Sequence, residues 1–301
     1  MNHFLCLTVT ILIAACLGAA VGHAADELKP DSTITIECPD LPQTFKEMKT
    51  GQHIVPTLTA RLPKDYTADK KFPLFVFLEG GDGGDGHCYV REYIGDHGYI
   101  AVSMPLFKKS MAPPTTPPAF PPDLLSNLPP KASAFLMGMA HNPGIINSDD
   151  AVVLASSWTE MLQKLAQKAP NIDPSRSVIA GFSNGAHAIG AVLASRGPFL
   201  RQNFHYFAMV EGGTDAQLDG GPWLTPDLAD SHILIMYSDS AGDPIRDMVL
   251  VIEKRLTDLA AERRLDVTLQ LMPGANHSFH KQYYSKLTDW CGATQPAITK
   301  P

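Results

Sequence analysis

The sequence predicts an α/β fold in which helices cover both faces of a mostly parallel, twisted β-sheet. Short apolar segments rich in β-branched and aromatic residues alternate along the chain with longer segments of helical periodicity. Several apolar segments are continuous, as expected for strands that crossover helices bury on both faces. The length of 301 residues, with 45% apolar and 18% charged residues, suits one domain with a substantial core.

The predicted strands are short and each ends in a turn-forming sequence. A possible edge strand comes first, and seven more strands follow it. They cover 33–37, 53–62, 73–78, 99–104, 177–183, 205–210, 232–237 and 267–272.

The predicted helices occupy most of the gaps between the strands. In each of the two longest, apolar residues recur three and four positions apart, so that one face packs against the sheet. The helices are expected at 88–97, 150–168, 184–195, 245–264 and 281–291.

The first 24 residues have the pattern of a signal peptide. An apolar run at 4–17 precedes small residues and a cleavage site at 22–24, which predicts export to the periplasm, the cell envelope or the exterior. The sequence before Cys16 also resembles a lipoprotein signal, so a lipid anchor at Cys16 is an alternative. Because no Lys or Arg precedes the apolar run, an uncleaved membrane anchor is a second alternative. Otherwise, no transmembrane segment is expected in the mature chain.

Cleavage leaves three cysteines, Cys38, Cys88 and Cys291. In an oxidising compartment two of them can form a disulfide, and there are three possible pairings.

The net charge of −7 without a basic stripe argues against nucleic-acid binding. No Cys-x-x-Cys occurs and the histidines do not cluster at ligand spacing, so neither a metal nor a cofactor is expected.

The strongest motif is Gly-x-Ser-x-Gly at 181–185, which follows a β-branched strand and precedes a helix of small residues. A serine in such a strand-to-helix turn projects its Oγ into open space, and the flanking glycines let neighbouring backbone pass closely. Ser183 is therefore the predicted nucleophile.

A serine nucleophile needs a base and an orienting acid. His277 follows the last predicted strand and is the predicted base, with His280 as a competitor. The loop after the strand at 232–237 offers two carboxylates, of which Asp243 is preferred to Asp239. Glu211, at the end of the preceding strand, ranks below both.

The oxyanion of an acyl transfer needs preorganised donors. The first is expected to be the amide of Asn184, directly after the nucleophile. The second is expected in the glycine-rich loop after the strand at 73–78, where Gly81 is preferred to Gly80.

One segment interrupts the alternation of strands and helices. Residues 105–147 hold ten of the 25 prolines, so a long regular helix is excluded there. Because the segment leaves the carboxyl end of a strand, it either walls the site at Ser183 or forms a solvated surface loop.

Together these segments resemble the α/β-hydrolase superfamily, and within it secreted esterases grouped with polyhydroxybutyrate depolymerases and feruloyl esterases. The resemblance spans 53–291, within a predicted catalytic domain at 51–301 that an N-terminal arm at 25–50 precedes. Glu79 stands where that group usually has histidine. The segments that carry the resemblance are 72–81, 171–186, 243–244 and 274–277.

The resemblance implies a cofactor-independent serine hydrolase that acts on a small-molecule or polymer-derived carboxylic ester through an acyl-enzyme. A peptidase of the same fold is one alternative. The other is a non-catalytic carbohydrate-binding or partner-binding protein that retains the fold.

Overall fold

A computed structural model describes residues 28–41, 55–81, 90–106, 122–142, 144–146, 148–213, 224–239 and 243–292. The strands within these residues form one eight-stranded sheet with the order β1-β2-β4-β3-β5-β6-β7-β8. They are β1 (Thr33–Glu37), β2 (Thr57–Arg61), β3 (Leu74–Leu78), β4 (Ile100–Ser103), β5 (Val178–Phe182), β6 (Tyr206–Val210), β7 (His232–Tyr237) and β8 (Asp266–Leu271).

The sheet is parallel from β4 to β8 and antiparallel only where β2 pairs with β1 and β4. The prediction of a mostly parallel sheet is therefore confirmed. Because the carboxyl ends of parallel strands lie along one edge, the loops after β3, β5, β6, β7 and β8 emerge side by side. This edge carries the candidate site.

Helices cover both faces of the sheet, as predicted. Alternate strand residues point to opposite faces, so that Val76 joins one core cluster while Phe75 and Phe77 join the other. Residues of α3, α4, α5 and α6 cover the first face, and residues of α1 and α7 cover the second. The helices are α1 (Val90–Ile94), α2 (Pro122–Asn127), α3 (Pro130–Ala140), α4 (Ser148–Lys168), α5 (Asn184–Asn203), α6 (Asp243–Arg263) and α7 (Tyr284–Trp290).

The helix after the Gly-x-Ser-x-Gly motif is longer than predicted. The predicted helix ends at residue 195, whereas α5 continues to Asn203 across a kink at Arg196, whose φ of −140° and ψ of 33° are not helical. Pro198, which follows the kink, breaks a regular helix but is tolerated near the start of a new helical segment.

The proline-rich segment contains two short helices, α2 and α3. Proline is tolerated at the first helical position, where its missing N–H is not needed, and α3 begins at Pro130. This helix packs against α6, with Ala132 and Leu136 buried. Residues 107–121 lie outside the described residues.

Cys38 and Cys291 are buried in the core clusters on opposite faces of the sheet and are not paired with each other. Cys88 and the predicted signal peptide lie outside the described residues.

Among the helices of the described ranges, none combines the length and the apolar character that crossing a membrane requires.

Candidate active site

Ser183 occupies a tight turn between β5 and α5. Its φ of 51° and ψ of −115° are unusual for a residue with a side chain. The turn depends on the two flanking glycines. A Cβ at Gly181 would lie 2.4 Å from the backbone of Gly185, and a Cβ at Gly185 would lie 2.2 Å from the carbonyl oxygen of Leu78. The motif at 181–185 therefore forms the tight strand-to-helix turn (the elbow) that the sequence predicts, and the role of Ser183 as nucleophile stays a prediction.

His277 lies on the loop after β8 and faces the serine. Its Nε2 is 3.1 Å from Ser183 Oγ, and its ring lies 5.3 Å from that of Phe182, between centroids. Both Asn276 and His277 have positive φ, 50° and 54°, which turns the imidazole back over the sheet edge. The side chain is 56% exposed, so substrate has access to the serine–histidine pair.

The carboxylate beside His277 belongs to Glu211, the first residue after β6. Its Oε2 lies 3.3 Å from His277 Nδ1 and accepts a hydrogen bond of 3.2 Å from Ser238 Oγ. Only 9% of the Glu211 side chain is exposed, and its Oε1 is buried without a hydrogen-bond partner in the described structure. A buried carboxylate next to the imidazole is placed to stabilise its protonated form.

The loop that carries Glu211 is anchored to the helix after the nucleophile. Glu211 has a φ of 57°, and its amide donates to the carbonyl of Met236 at 2.8 Å. The amide of Gly213 donates to Nδ1 of the buried His187 on α5 at 3.3 Å. Strained backbone is concentrated at the site, because four of the six non-glycine residues with positive φ in the described ranges are Ser183, Glu211, Asn276 and His277.

Of the two carboxylates that the sequence ranked above Glu211, only Asp239 has a described side chain. Asp239 accepts a hydrogen bond of 3.2 Å from the amide of Gly274, so it supports the histidine loop instead of the imidazole. Asp243 is the first residue of α6, but its side chain lies outside the described part, and its role as the acid stays a prediction. Glu211 ranked third in the sequence, and its available signal was its place between an apolar strand and Gly212-Gly213.

His280, the competing base, has a different contact. Its Nε2 lies 3.1 Å from the carbonyl oxygen of Ala275, inside the loop that carries His277. The ring of His280 therefore supports the loop, while that of His277 faces the nucleophile.

The two predicted oxyanion donors lie close together. Asn184 is the first residue of α5, where backbone N–H groups have no partner within the helix. Its side-chain Nδ2 donates to the carbonyl oxygen of Gly81 at 2.9 Å. A Cβ at Gly80 would lie 3.3 Å from the Cβ of Ser183, so the glycine loop rests directly on the elbow. The structure thus brings Gly81 and Asn184 together beside Ser183, and the roles of their amides stay predictions.

The wall next to the glycine loop combines aromatic and acidic side chains. Burial, and then the negative charge of Glu92, raise the pKa of Glu79. Burial also raises the pKa of Tyr93, whose ring packs edge-on against that of Tyr284 with centroids 4.5 Å apart. Phe279, two residues after His277, contacts both tyrosine rings. The low polarity of this wall favours the neutral form of the Glu79 carboxyl.

The end of the proline-rich segment reaches the nucleophile helix. Asn184 Nδ2 donates to the carbonyl oxygen of Gly144 at 3.0 Å, and Asn184 Oδ1 accepts from the amide of Ile146 at 2.9 Å. Residues 144–146 therefore lie beside the turn at Ser183.

In the described residues no three His, Cys, Asp or Glu side chains are grouped as a metal site would require.

Solved structures with similar architecture include esterases and peptidases. A ferulic acid esterase is 11% identical with a TM-score of 0.52, over 89% of this chain and 99% of that one. An S-formylglutathione hydrolase from Agrobacterium tumefaciens is 12% identical with a TM-score of 0.51, over 88% and 95%. Dipeptidyl peptidase 4 from Porphyromonas gingivalis is 10% identical with a TM-score of 0.52, over 89% of this chain but 36% of that one.

Sequence comparison adds nothing to these likenesses, since no protein-family profile and no curated protein matches the chain. The chain spans only 36–37% of the length of the dipeptidyl peptidases that it matches in structure. The narrower resemblance to polyhydroxybutyrate depolymerases stays a prediction. The strand order, the turn at Ser183 and the structural likenesses agree, and the chain has the α/β-hydrolase fold.

Proposed function

We propose that the protein is a serine hydrolase that cleaves carboxylic esters, with Ser183 as nucleophile, His277 as general base and Glu211 as the orienting acid. One observation carries this proposal. An unbroken series of contacts runs from Ser183 Oγ to His277 Nε2 at 3.1 Å and from His277 Nδ1 to Glu211 Oε2 at 3.3 Å. This connectivity is the one that activates a serine hydroxyl, and the proposal assigns to Glu211 the role that the sequence prediction gave to Asp243.

In the first half of the reaction, His277 Nε2 accepts the proton of Ser183 as Oγ attacks the ester carbonyl. The carbon–oxygen bond to the alcohol then breaks, and His277 returns the proton to the leaving oxygen. In the second half, His277 deprotonates a water molecule that attacks the acyl-enzyme, and the carboxylic acid leaves as Ser183 regains its proton. Glu211 stabilises the imidazolium in both halves.

The negative charge on the carbonyl oxygen is assigned to the backbone amides of Asn184 and Gly81. Asn184 supports this assignment because it begins α5, where a free N–H and the helix dipole both favour negative charge. Gly81 supports it through its contact with Asn184 in the loop that rests on the elbow.

Esters are favoured as substrates by the resemblance in sequence and by the structural neighbour named as a ferulic acid esterase. The substrate class is a small-molecule or polymer-derived ester. A peptidase of the same fold is the second candidate, because a dipeptidyl peptidase is also among the structural neighbours.

We also propose that the protein is exported, because an apolar segment followed by small residues occupies positions 1–24.

The test is hydrolysis of p-nitrophenyl esters from acetate to octanoate, beside a dipeptide p-nitroanilide, by the mature protein. Ser183→Ala and His277→Ala should each lower kcat/KM for the preferred ester about 10³-fold or more. His280→Ala is the matched control, since it removes a histidine of the same loop that contacts Ala275 instead of the serine, and it should retain most of the activity.

A serine-reactive phosphonate separates the enzyme from a binding protein of the same fold. It should label the parent and not Ser183→Ala. Turnover of the anilide in preference to every ester would favour the peptidase. Folded parent protein with neither turnover nor labelling would support the binding protein instead.

A further inference from the structure

The side chain of Asn184 has contacts that the proposed reaction does not use. It is buried, with 6% exposed, and all of its carboxamide groups are engaged. Nδ2 donates to the carbonyl oxygens of Gly81 and Gly144 at 2.9 and 3.0 Å, and Oδ1 accepts from the amide of Ile146 at 2.9 Å. A carboxamide has two donor hydrogens and an oxygen with two lone pairs, so three of its four possible hydrogen bonds are made and both donors are used.

These bonds join three segments that are distant in sequence. Gly81 lies in the loop after β3, and Gly144 and Ile146 lie at the end of the proline-rich segment. Asn184 itself follows the nucleophile. The two carbonyls that accept from its Nδ2 would lose a partly buried hydrogen bond if the side chain were shortened, which costs free energy and allows the loops to shift.

We propose that the Asn184 carboxamide is a positioning residue that fixes the oxyanion loop and the end of the proline-rich segment against the nucleophile. This inference rests on the proposed function. Oxyanion donors act only when they are held within a fraction of an ångström of the developing charge. One side chain therefore links the geometry of Gly81 to the placement of residues 144–146.

A second asparagine supplies a matched control. Asn171 Nδ2 donates to the carbonyl oxygens of Thr67 and Lys70 at 3.1 and 2.6 Å, and its Oδ1 accepts from the hydroxyl of Tyr66 at 2.9 Å. The bonding pattern is the same as that of Asn184. Asn171 lies before β5, at the edge of the sheet opposite the site, so its bonds support structure alone.

The experiment compares Asn184→Asp with Asn171→Asp in the mature protein. Aspartate keeps the size and the acceptor but places a carboxylate oxygen against two carbonyls. Both variants should lose thermal stability. Only Asn184→Asp should lower kcat for p-nitrophenyl acetate, by about 10- to 100-fold with KM within about threefold, since the effect on the oxyanion is indirect. It should also weaken inhibition by phenylboronic acid, which forms a tetrahedral adduct with the serine, by a similar factor.

Parental kcat and boronate inhibition in Asn184→Asp would overturn the inference, as would a change confined to KM or an equal loss of kcat in Asn171→Asp. If Asn184→Asp does not fold, Asn184→Ala gives the same comparison with Asn171→Ala, without the added charge. A parent whose turnover equals that of Ser183→Ala would overturn the proposed function, and this inference with it. An active parent with an unaffected Asn184→Asp would overturn the inference only.

Discussion

The proposed nucleophile and the two residues proposed as its proton relay are held in different ways. Ser183 sits where a strand and a helix pack so closely that a single added methyl group would meet backbone at 2.2–2.4 Å. His277 and Glu211 instead come from loops after β8 and β6 that meet only at the edge of the sheet. The histidine is 56% exposed and its carboxylate partner 9%. Close packing thus fixes the nucleophile, whereas loop conformation and charge fix the relay.

The relay should be most sensitive to the loss of its charge. Glu211→Gln keeps the shape of the side chain but removes the carboxylate, and kcat/KM for the preferred p-nitrophenyl ester should fall about 10³- to 10⁴-fold. Asp243→Asn and Asp239→Asn are the controls and should stay within about tenfold of the parent. A severe loss in Asp243→Asn with a mild one in Glu211→Gln would restore the assignment made from the sequence.

The nucleophile should be most sensitive to added volume. Gly185→Ala forces a Cβ towards the carbonyl oxygen of Leu78, and the free energy of unfolding in urea should fall by about 3 kcal/mol. Gly138→Ala is the matched control, because a Cβ at this position in α3 meets no atom within 4 Å. It should instead raise stability by about 0.5–1 kcal/mol. Equal stabilities of the two variants would contradict a close-packed elbow.

The histidine loop should respond to backbone conformation. Asn276 has a φ of 50°, which glycine adopts freely and alanine does not. Asn276→Ala and Asn276→Gly both remove the side chain, so their difference isolates the backbone. We expect kcat about three- to tenfold lower in the alanine variant than in the glycine variant. If the alanine variant were as active as the glycine variant, the left-handed backbone would have no part in placing His277.

The smallest effect concerns the wall beside the glycine loop. Because burial raises the pKa of Glu79, the folded protein binds a proton there more tightly than the unfolded chain, and stability falls as pH rises above the ordinary carboxyl range. Glu79→Gln should therefore raise Tm by about 1–3 °C at pH 8 and leave it nearly unchanged at pH 4. Glu37→Gln, at an exposed position of β1, should show no such difference between the two pH values.

Short-range features were predictable from the sequence. The β7 strand has the predicted bounds, because a continuous apolar run is typical of a strand that is buried on both faces. The turn at Ser183 was predictable because all of its determinants lie within 181–185. In the proline-rich segment the prolines excluded a long regular helix but could not show where a short one begins, and Pro130 sits at the first helical position, which accepts proline without loss.

Long-range features were not predictable in the same way. Which carboxylate reaches His277 depends on how the ends of β6 and β8 meet in space and on the left-handed backbone of Glu211. The sequence around Asp243 has the features of an acid loop, but it equally has those of a helix start. For Asn184 only the amide was predictable, since the partners of its side chain lie 103 and about 40 residues away.

The proposed acid Glu211, directly after β6, changes which parts of the molecule are free to vary. If Glu211 is the acid, the reaction needs no carboxylate from the start of α6, the helix against which α3 of the proline-rich segment packs. We therefore expect substitutions at the interface of α3 and α6 to be tolerated more readily than substitutions at Ser183, His277 or Glu211.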